Sequence, residues 1–311
     1  MAQLCTASIA MRSCLQSAHV FPELKTGSVK DRFRNEKFLG SGCSSTVYKC
    51  YDKVTNLPYA CKMISKRDPS FDEDDVRHEY EIMLRLHGQP NVVSLHDVFE
   101  NSDHVSLVMD LCARGDLFDF IAQQHPAGCS EQLVAHVMLQ IMSAIRSCHA
   151  VGVMHGDVKP ENIVLCGSNI ILPEVKLIDF GLSTITQADH VTTIAGTPSY
   201  MAPEVFRRCY GCEADVWSAG CSMYKLITGQ RLFHLQDLSY SAAQGRQLRA
   251  YQQFLRTFPY SEACRRISEN GRDVLLKMLA VDPSARLTVD EFFQHPWAVH
   301  HMDRSKETLC C

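Results

Sequence analysis

The chain has 311 residues, 46% hydrophobic and 21% charged, with a formal net charge of −4, an ordinary globular balance with room for a sizeable core. Both charge signs are spread without long blocks, which excludes a basic footprint for nucleic acid or a polybasic membrane patch, and no apolar run approaches the roughly 18 residues a membrane span needs. The 15 Cys are scattered, odd in number and mostly in apolar segments, which suits reduced, buried thiols of an intracellular protein better than a disulfide framework.

Residues 1–32 are poor in acids and contain Ser, Thr, Ala and Cys. They faintly resemble an organelle transit peptide and read as a flexible extension ahead of the domain. The expected compartment is the cytoplasm, with plastid or nucleus as alternatives. From Phe33 to Met109, short alternating segments at Phe38–Gly40, Val47–Tyr51, Tyr59–Ile64, Val92–Val98 and Val105–Val108 predict strands. One helix interrupts them over Asp72–Leu86, with an acidic start that suits the positive end of a helix dipole and an apolar face of Val76, Tyr80, Met83 and Leu84.

After Gly115 the period becomes helical. Leu133, Val137, Ile141, Ile145 and Cys148 follow a cap at Ser130, giving a helix with a broad buried face. Asp215–Thr228 is apolar almost all round, a core helix that Gly229 stops. Further helices fit Ser268–Leu279 and Val289–Phe293, whereas Gly229–Ile267 has no clear period. Cys209-Tyr-Gly-Cys212 is a lone CxxC with no second pair at metal spacing, too little for a structural zinc site. Residues 298–311 read as a short tail whose Cys310-Cys311 end carries unmodified thiols rather than a lipid. The expected fold class is α+β: a small β-rich lobe over 33–109, a hinge over 110–114 and a mainly helical lobe over 115–297, with a cleft between the lobes.

Leu39-Gly-Ser-Gly-Cys-Ser-Ser-Thr-Val-Tyr48 lies between two strands. Gly40 and Gly42, with Ser41 between them, let backbone N–H groups approach a polyphosphate, and Val47 offers an apolar face to a base. The next strand carries Ala60-Cys61-Lys62, and Glu79 on the following helix is the counter-charge that a cleft-facing ammonium needs. The decisive stretch is His155-Gly-Asp-Val-Lys-Pro-Glu-Asn162. Asp157 is placed to accept a hydroxyl proton, Lys159 to neutralise a transferring phosphoryl group, and Asn162 to offer an oxygen to Mg²⁺. Asp179-Phe180-Gly181 supplies a metal carboxylate and a Gly for a sharp turn.

These four motifs, in this order, resemble the eukaryotic protein kinase catalytic domain, and the likeness spans Phe33–Trp297. Ala202-Pro203-Glu204, Asp215-Val-Trp-Ser-Ala-Gly220, Arg286 and His295-Pro296-Trp297 continue it. The resemblance implies ATP and Mg²⁺ as cofactors and a bilobal fold. It also implies Lys62 on the α- and β-phosphates, Asp157 orienting and deprotonating the acceptor, and Asn162 and Asp179 on metal. Met109 would gate the back of the base pocket, with Asp110 to Cys112 as the adenine-binding hinge, and Arg286 would pair with Glu204. Lys159 and Thr197 favour Ser/Thr acceptors. Leu107-Val-Met-Asp-Leu-Cys112, Gly115-Asp-Leu-Phe118 and Lys159-Pro-Glu-Asn162 look most like the calcium/calmodulin-dependent and plant calcium-dependent kinases. With only about fourteen residues after Trp297 and neither an EF-hand loop nor a basic amphipathic helix, the arrangement resembles the short plant kinases that act on phosphoenolpyruvate carboxylase. No calcium or calmodulin site is expected in this chain.

Gly156 stands where the family usually has Arg. Small-molecule kinases of the aminoglycoside and choline type also read His-Gly-Asp, but they lack a counterpart to Gly196-Thr197-Pro198 through Glu204, so a protein kinase is the expected class. A pseudokinase scaffold is the lesser alternative, because neither Gly156 nor Ser45, in place of the third loop Gly, deletes a reacting group. In the family the missing Arg commonly grips a phosphate on the segment before Glu204, yet Leu182–Met201 holds no Lys or Arg. A phosphate on Thr192 or Thr193 would find no such partner, so an enzyme independent of that phosphorylation is expected. Asp116 and Glu161 fall where related kinases meet basic residues of the substrate, which implies a basophilic enzyme. Cys43 and Cys112 read as small packing residues, because no neighbouring cation would lower a thiol pKa.

Overall fold

The computed structural model describes residues 24–41, 45–167, 169, 171–186, 191–235 and 240–309. Gly42, Cys43 and the Cys310-Cys311 pair therefore lie outside the described residues.

The smaller lobe is a six-stranded sheet in the order β1-β5-β6-β4-β3-β2. Its strands are β1 (Leu24–Thr26), β2 (Phe33–Ser41), β3 (Ser45–Asp52), β4 (Pro58–Ser65), β5 (Leu95–Glu100) and β6 (His104–Asp110). All neighbours pair antiparallel except β1, which lies parallel to β5. A short helix α1 (Val29–Arg32) precedes β2, and α2 (Glu73–Arg85) crosses from β4 toward β5.

Strand alternation sorts the sheet into two faces. Cys61 and Val108 on one face join Val29, Phe33, Cys50 and Phe99 in a small outer cluster, with Tyr59 and Met63 against it. Ile64 and Leu107 on the other face join Ile82 and Met83 of α2 in the main core. The sheet and its outer cluster therefore take in residues ahead of the expected boundary at Phe33. Val29 and Phe33 close the outer face, each 2% exposed. Lys25 and Arg32 supply the cations for the buried carboxylate of Asp97, and Arg32 Nε also lies 2.9 Å from Asp52. An acid buried at 1%, like Asp52, needs such a partner, and local spacing gives no hint of where it comes from.

The larger lobe contains α3 (Leu117–Gln124), α4 (Glu131–Ala150), α5 (Glu213–Thr228), α6 (Tyr240–Thr257), α7 (Glu262–Arg265), α8 (Glu269–Met278), α9 (Val289–Gln294) and α10 (Pro296–Leu309). Ser130 caps α4 through its side chain, as the sequence predicts, and α4 buries Leu133, Val137, Ile141, Ile145 and Cys148. Helix α5 is stopped by Gly229 at φ +76°. A Cβ there would stand 2.2 Å from the Pro126 carbonyl oxygen, so only glycine fits the turn. The segment without a readable period contains α6, which packs Phe254 and Tyr251 against the ring cluster of Trp217 and Tyr224. Residues 298–309 continue helix α10 instead of forming a loose tail, and Ala298 is fully buried. Among the described residues, no helix is long and apolar enough to cross a membrane.

Candidate active site

Two short ladders shape the cleft floor: β7 (Val153–Met154) with β10 (Thr184–Ile185), and β8 (Ile163–Cys166) with β9 (Glu174–Leu177). The loop after β7 carries His155 to Asn162, and the loop after β9 carries Asp179 to Gly181. Each chemistry-bearing segment thus leaves the end of a strand.

On the sheet side, Val47 pairs with Lys62 and Ala60 with Met109 across neighbouring strands. Val47, Ala60, Lys62 and Met109 therefore lie on the inner face of the sheet. Leu39, Gly40 and Ser41 end β2 at its partly open edge. Lys62 Nζ lies 2.6 Å from Glu79 Oε1, 2.9 Å from Oε2, and 3.5 Å from Asp179 Oδ1. Burial works against the ammonium charge, but Glu79 and then Asp179 more than offset it, so the Lys62 pKa is raised. The cation stays protonated and is fixed between helix and loop.

Asp157 is 7% exposed. Its Oδ1 accepts the Thr197 backbone N–H at 2.8 Å, and its Oδ2 accepts Lys159 Nζ at 2.5 Å. Lys159 also donates to Thr197 Oγ1 at 2.7 Å. Asn162 Nδ2 donates to the Asp157 carbonyl at 2.9 Å and to its Oδ2 at 3.2 Å. Asp157, Lys159 and Thr197 are thus one hydrogen-bonded unit that ties the central loop to the segment before Glu204.

Asp215 organises the backbone below it. This buried carboxylate accepts the N–H of His155 and of Gly156, each at 2.9 Å, and lies 2.9 Å from His149 Nε2. Burial raises its pKa, but the His149 hydrogen bond and the neighbouring His charges outweigh that and hold it below the usual carboxylate range. Phe180 is fully buried and packs edge-on to His155, with ring centroids 5.1 Å apart. Ser183 Oγ donates to the His155 carbonyl at 3.0 Å, and His78 on α2 lies 2.9 Å from the Ser183 carbonyl. Helix α2 is thereby linked to the metal loop by more than the Lys62–Glu79 pair. Sequence reasoning missed His78, whose partner sits 105 residues away.

Gly156 adopts φ +79°, and a Cβ there would lie 2.9 Å from the Leu182 carbonyl oxygen. The departure from Arg is therefore a tight turn relieved. The donor set of Asn162 and Asp179, an amide and a carboxylate oxygen, suits a hard divalent cation. Asn162 turns its nitrogen toward Asp157, which leaves the oxygen for the ion, and Asp179 is half exposed next to Lys62. Two protein oxygens leave most of a Mg²⁺ shell to phosphates and water. Asp179 sits at φ +66°, a left-handed conformation uncommon for non-glycine residues and shared in this chain by Asn56, Asn91 and Arg208.

One expectation needs correction, at Cys112. Asp110, expected to open the hinge, is the last residue of β6. Its carboxylate accepts from Ser94 N at 3.0 Å and Lys176 Nζ at 2.5 Å, and lies 2.6 Å from His96 Nε2. Cys112 is not a free packing thiol: it forms a disulfide with Cys166 at the end of β8. The hinge and β8 run side by side, with Asp116 bridged to Val164 and Leu165 N donating to the Gly115 carbonyl. This brings the two Cα atoms to 4.7 Å across 54 residues, within disulfide range, and no sequence spacing reveals such a meeting. Cys209 and Cys212 remain free, and no group of three or more metal-ligating side chains occurs among the described residues. Arg231 Nη2 lies 2.8 Å from Glu161 Oε1. Asp116 caps α3 by accepting the Asp119 N–H at 2.8 Å. The buried pair Glu204–Arg286 forms as the motif resemblance implied.

A model of the protein kinase domain matches residues 33–298. The chain is 40% identical over 278 residues to calcium-dependent protein kinase 27 of Oryza sativa subsp. japonica, covering 88% of this chain and 44% of that protein. It is 38% identical over 293 residues to calcium-dependent protein kinase 25 of Arabidopsis thaliana, covering 92% and 54%. The chain spans about half the length of the curated relatives it matches. With Lys62 beside Asp179, with the Asp157–Lys159–Thr197 unit in place, and with the family model running through both lobes, the chain belongs to the protein kinase domain family.

Proposed function

We propose that this chain transfers the γ-phosphoryl group of ATP to Ser or Thr hydroxyls of proteins. The observation that carries this is the convergence of Lys62, held by Glu79 and next to Asp179, with the Asp157–Lys159–Thr197 unit and Asn162. Lys62 holds phosphate oxygens, Asp157 orients the acceptor hydroxyl and takes its proton, and Lys159 neutralises charge on the transferring group. When bound by Asn162 and Asp179, Mg²⁺ supplies charge neutralisation for the phosphates. Because such a transition state is loose and its charge lies on phosphoryl oxygens, positioning and electrostatics do most of the work.

Activity does not require phosphorylation of the segment before Glu204. The segment is held by neutral bonds: Thr186 N donates to the Gly152 carbonyl, Val191 N to the Tyr210 carbonyl, and Tyr210 Oη to the Thr193 carbonyl, all at 2.8 Å. The preference is for a basic residue on the N-terminal side of the acceptor, with Asp116 as the carboxylate that receives it. Burial and the nearby Asp119 and Glu161 raise its pKa, the behaviour of an acid that lacks an internal cation and gains one from substrate.

The test is Mg-ATP-dependent phosphorylation of a peptide mixture by the intact chain, with Asp157→Asn and Lys62→Met alongside. The expected loss in each variant is on the order of 10²–10³-fold or more, the cost of removing one preorganised electrostatic group. Equal signal from all three would assign the phosphorylation to something else and leave the chain a scaffold.

A further inference from the structure

Beside Asp157 lies a second charged cluster that the chemistry does not use. Glu161 stands four residues after Asp157, in the short 3₁₀ turn Pro160–Asn162. Its Oε1 accepts from Arg231, which follows Gly229 at the end of α5. The Arg231 guanidinium sits 4.8 Å from the Phe118 ring centroid, and Lys225 Nζ covers the same ring at 4.3 Å. Lys225 is 5% exposed. Burial first, and then the neighbouring Arg231, lowers its pKa, while Glu161 opposes this. The carboxylate thus meets one cation from its own chain, with a second held nearby on the Phe118 ring.

The cluster also carries an open valence. Glu161 Oε2 is buried without a hydrogen-bond partner, and native proteins seldom leave such a group unpaired without a reason; Tyr200 lies beside Arg231, each shifting the other's pKa, without a well-formed bond between them. Tyr200 lies three residues after Thr197, which holds Asp157. The cluster therefore belongs to the wall along which an acceptor peptide must run. An extended peptide advances about 3.3 Å per residue, so a side chain two or three residues from the acceptor reaches the region of Glu161.

We infer that Arg231 is a specificity-determining residue: an internal counter-ion that fills the place a substrate cation would take at Glu161, so this subsite rejects Arg or Lys and accepts a neutral hydrogen-bonding or acidic side chain. The charge tally is the reason. Glu161 alone would attract a cation, whereas Glu161 paired with Arg231 carries no net charge to attract one. Asp116, without a cation of its own among the described residues, is left as the carboxylate that reads a basic residue. The inference rests on the protein-kinase reading above.

The experiment is a positional scan with the full chain and Mg-ATP, placing Arg, Ala, Asn or Asp at each position around a fixed Ser acceptor. Wild type is expected to favour Arg over Ala at one position only. Arg231→Gln, which keeps length and polarity, is expected to gain an Arg-over-Ala preference of about fivefold at a second position, the scale of a partly exposed ion pair. Glu161→Gln should leave the wild-type Arg profile unchanged, since its carboxylate is already occupied. Turnover of the all-Ala reference peptide checks that each variant is folded. If wild type favours Arg at two positions, if Glu161→Gln erases one of them, or if a turning-over Arg231→Gln scan superimposes on wild type, the inference is overturned. Absence of any peptide phosphorylation by wild type would instead sink the kinase reading on which it rests.

Discussion

Gly156 donates its backbone N–H to Asp215 Oδ1 at 2.9 Å while its own φ stands at +79°. Catalytic-loop position and backbone strain therefore meet in one residue. Gly156→Ala forces a Cβ to within 2.9 Å of the Leu182 carbonyl oxygen and is expected to cost about 1–2 kcal/mol. Urea unfolding of the variant checks this, and an unchanged midpoint would show that the turn accommodates a side chain freely.

Thr192 and Thr193 are exposed, whereas Thr197 holds both Lys159 and Asp157. Thr192→Ala and Thr193→Ala should leave kcat/KM within about twofold. Thr197→Ala should lower it by roughly 10-fold or more, the weight of one hydrogen bond to a charged group. Steady-state kinetics on dephosphorylated protein decides, because a silent enzyme revived by phosphate on Thr192 or Thr193 would contradict phosphorylation independence.

Arg286 is fully buried and bonds Glu204 through both terminal nitrogens, at 2.5 and 3.0 Å, with further bonds to the carbonyls of Glu213 and Ala280. Removing the cation alone strands a buried carboxylate, so Arg286→Ala should lose about 3–5 kcal/mol. The double variant Arg286→Leu with Glu204→Gln should recover part of it. Chemical denaturation that ranks the double variant below both single ones would rule out a charge-stranding origin.

Burial pushes the Asp110 pKa up, yet hydrogen bonds from His96, Lys176 and the Ser94 N–H outweigh it and hold the carboxyl well below the usual range. A depressed folded value means that the stabilisation is complete above the unfolded pKa of about 3.9 and fades as pH falls below it toward the folded value. Asp110→Asn should therefore be less stable than wild type at pH 7 by about 1–2 kcal/mol. The gap should close below pH ~4. A gap that persists unchanged to acid would mean that the charge at Asp110 contributes nothing.

The legible parts of this molecule were those written in short range. The caps at Ser130 and Gly229, the strand alternation through Ala60 and Lys62, and the order of the catalytic motifs all depend on neighbours a few residues apart. The Asp157–Thr197 unit was legible because both residues belong to recognisable motifs. What escaped depends on meetings between distant segments. The period of α6 is blurred because its core-facing stripe of Ala243, Gln247, Tyr251 and Phe254 includes a polar Gln, while Leu248 and Leu255 lie exposed outside it. The Cys112–Cys166 bond exists because the hinge happens to run beside β8. Arg231 meets Glu161 from 70 residues away, and nothing near residue 161 announces it.

Strand β1 has a practical consequence for anyone trimming the protein. The family boundary at residue 33 tempts a cut that removes Leu24–Thr26, along with the Gly27 N–H that bonds the Glu100 carbonyl at 2.8 Å. Such a cut would turn β5 into a bare edge, open to pairing with another molecule, and would take Lys25 and Arg32 from Asp97 at the same stroke. A shortened version could thus aggregate for reasons unrelated to its chemistry, and its silence in an assay would say nothing about phosphoryl transfer.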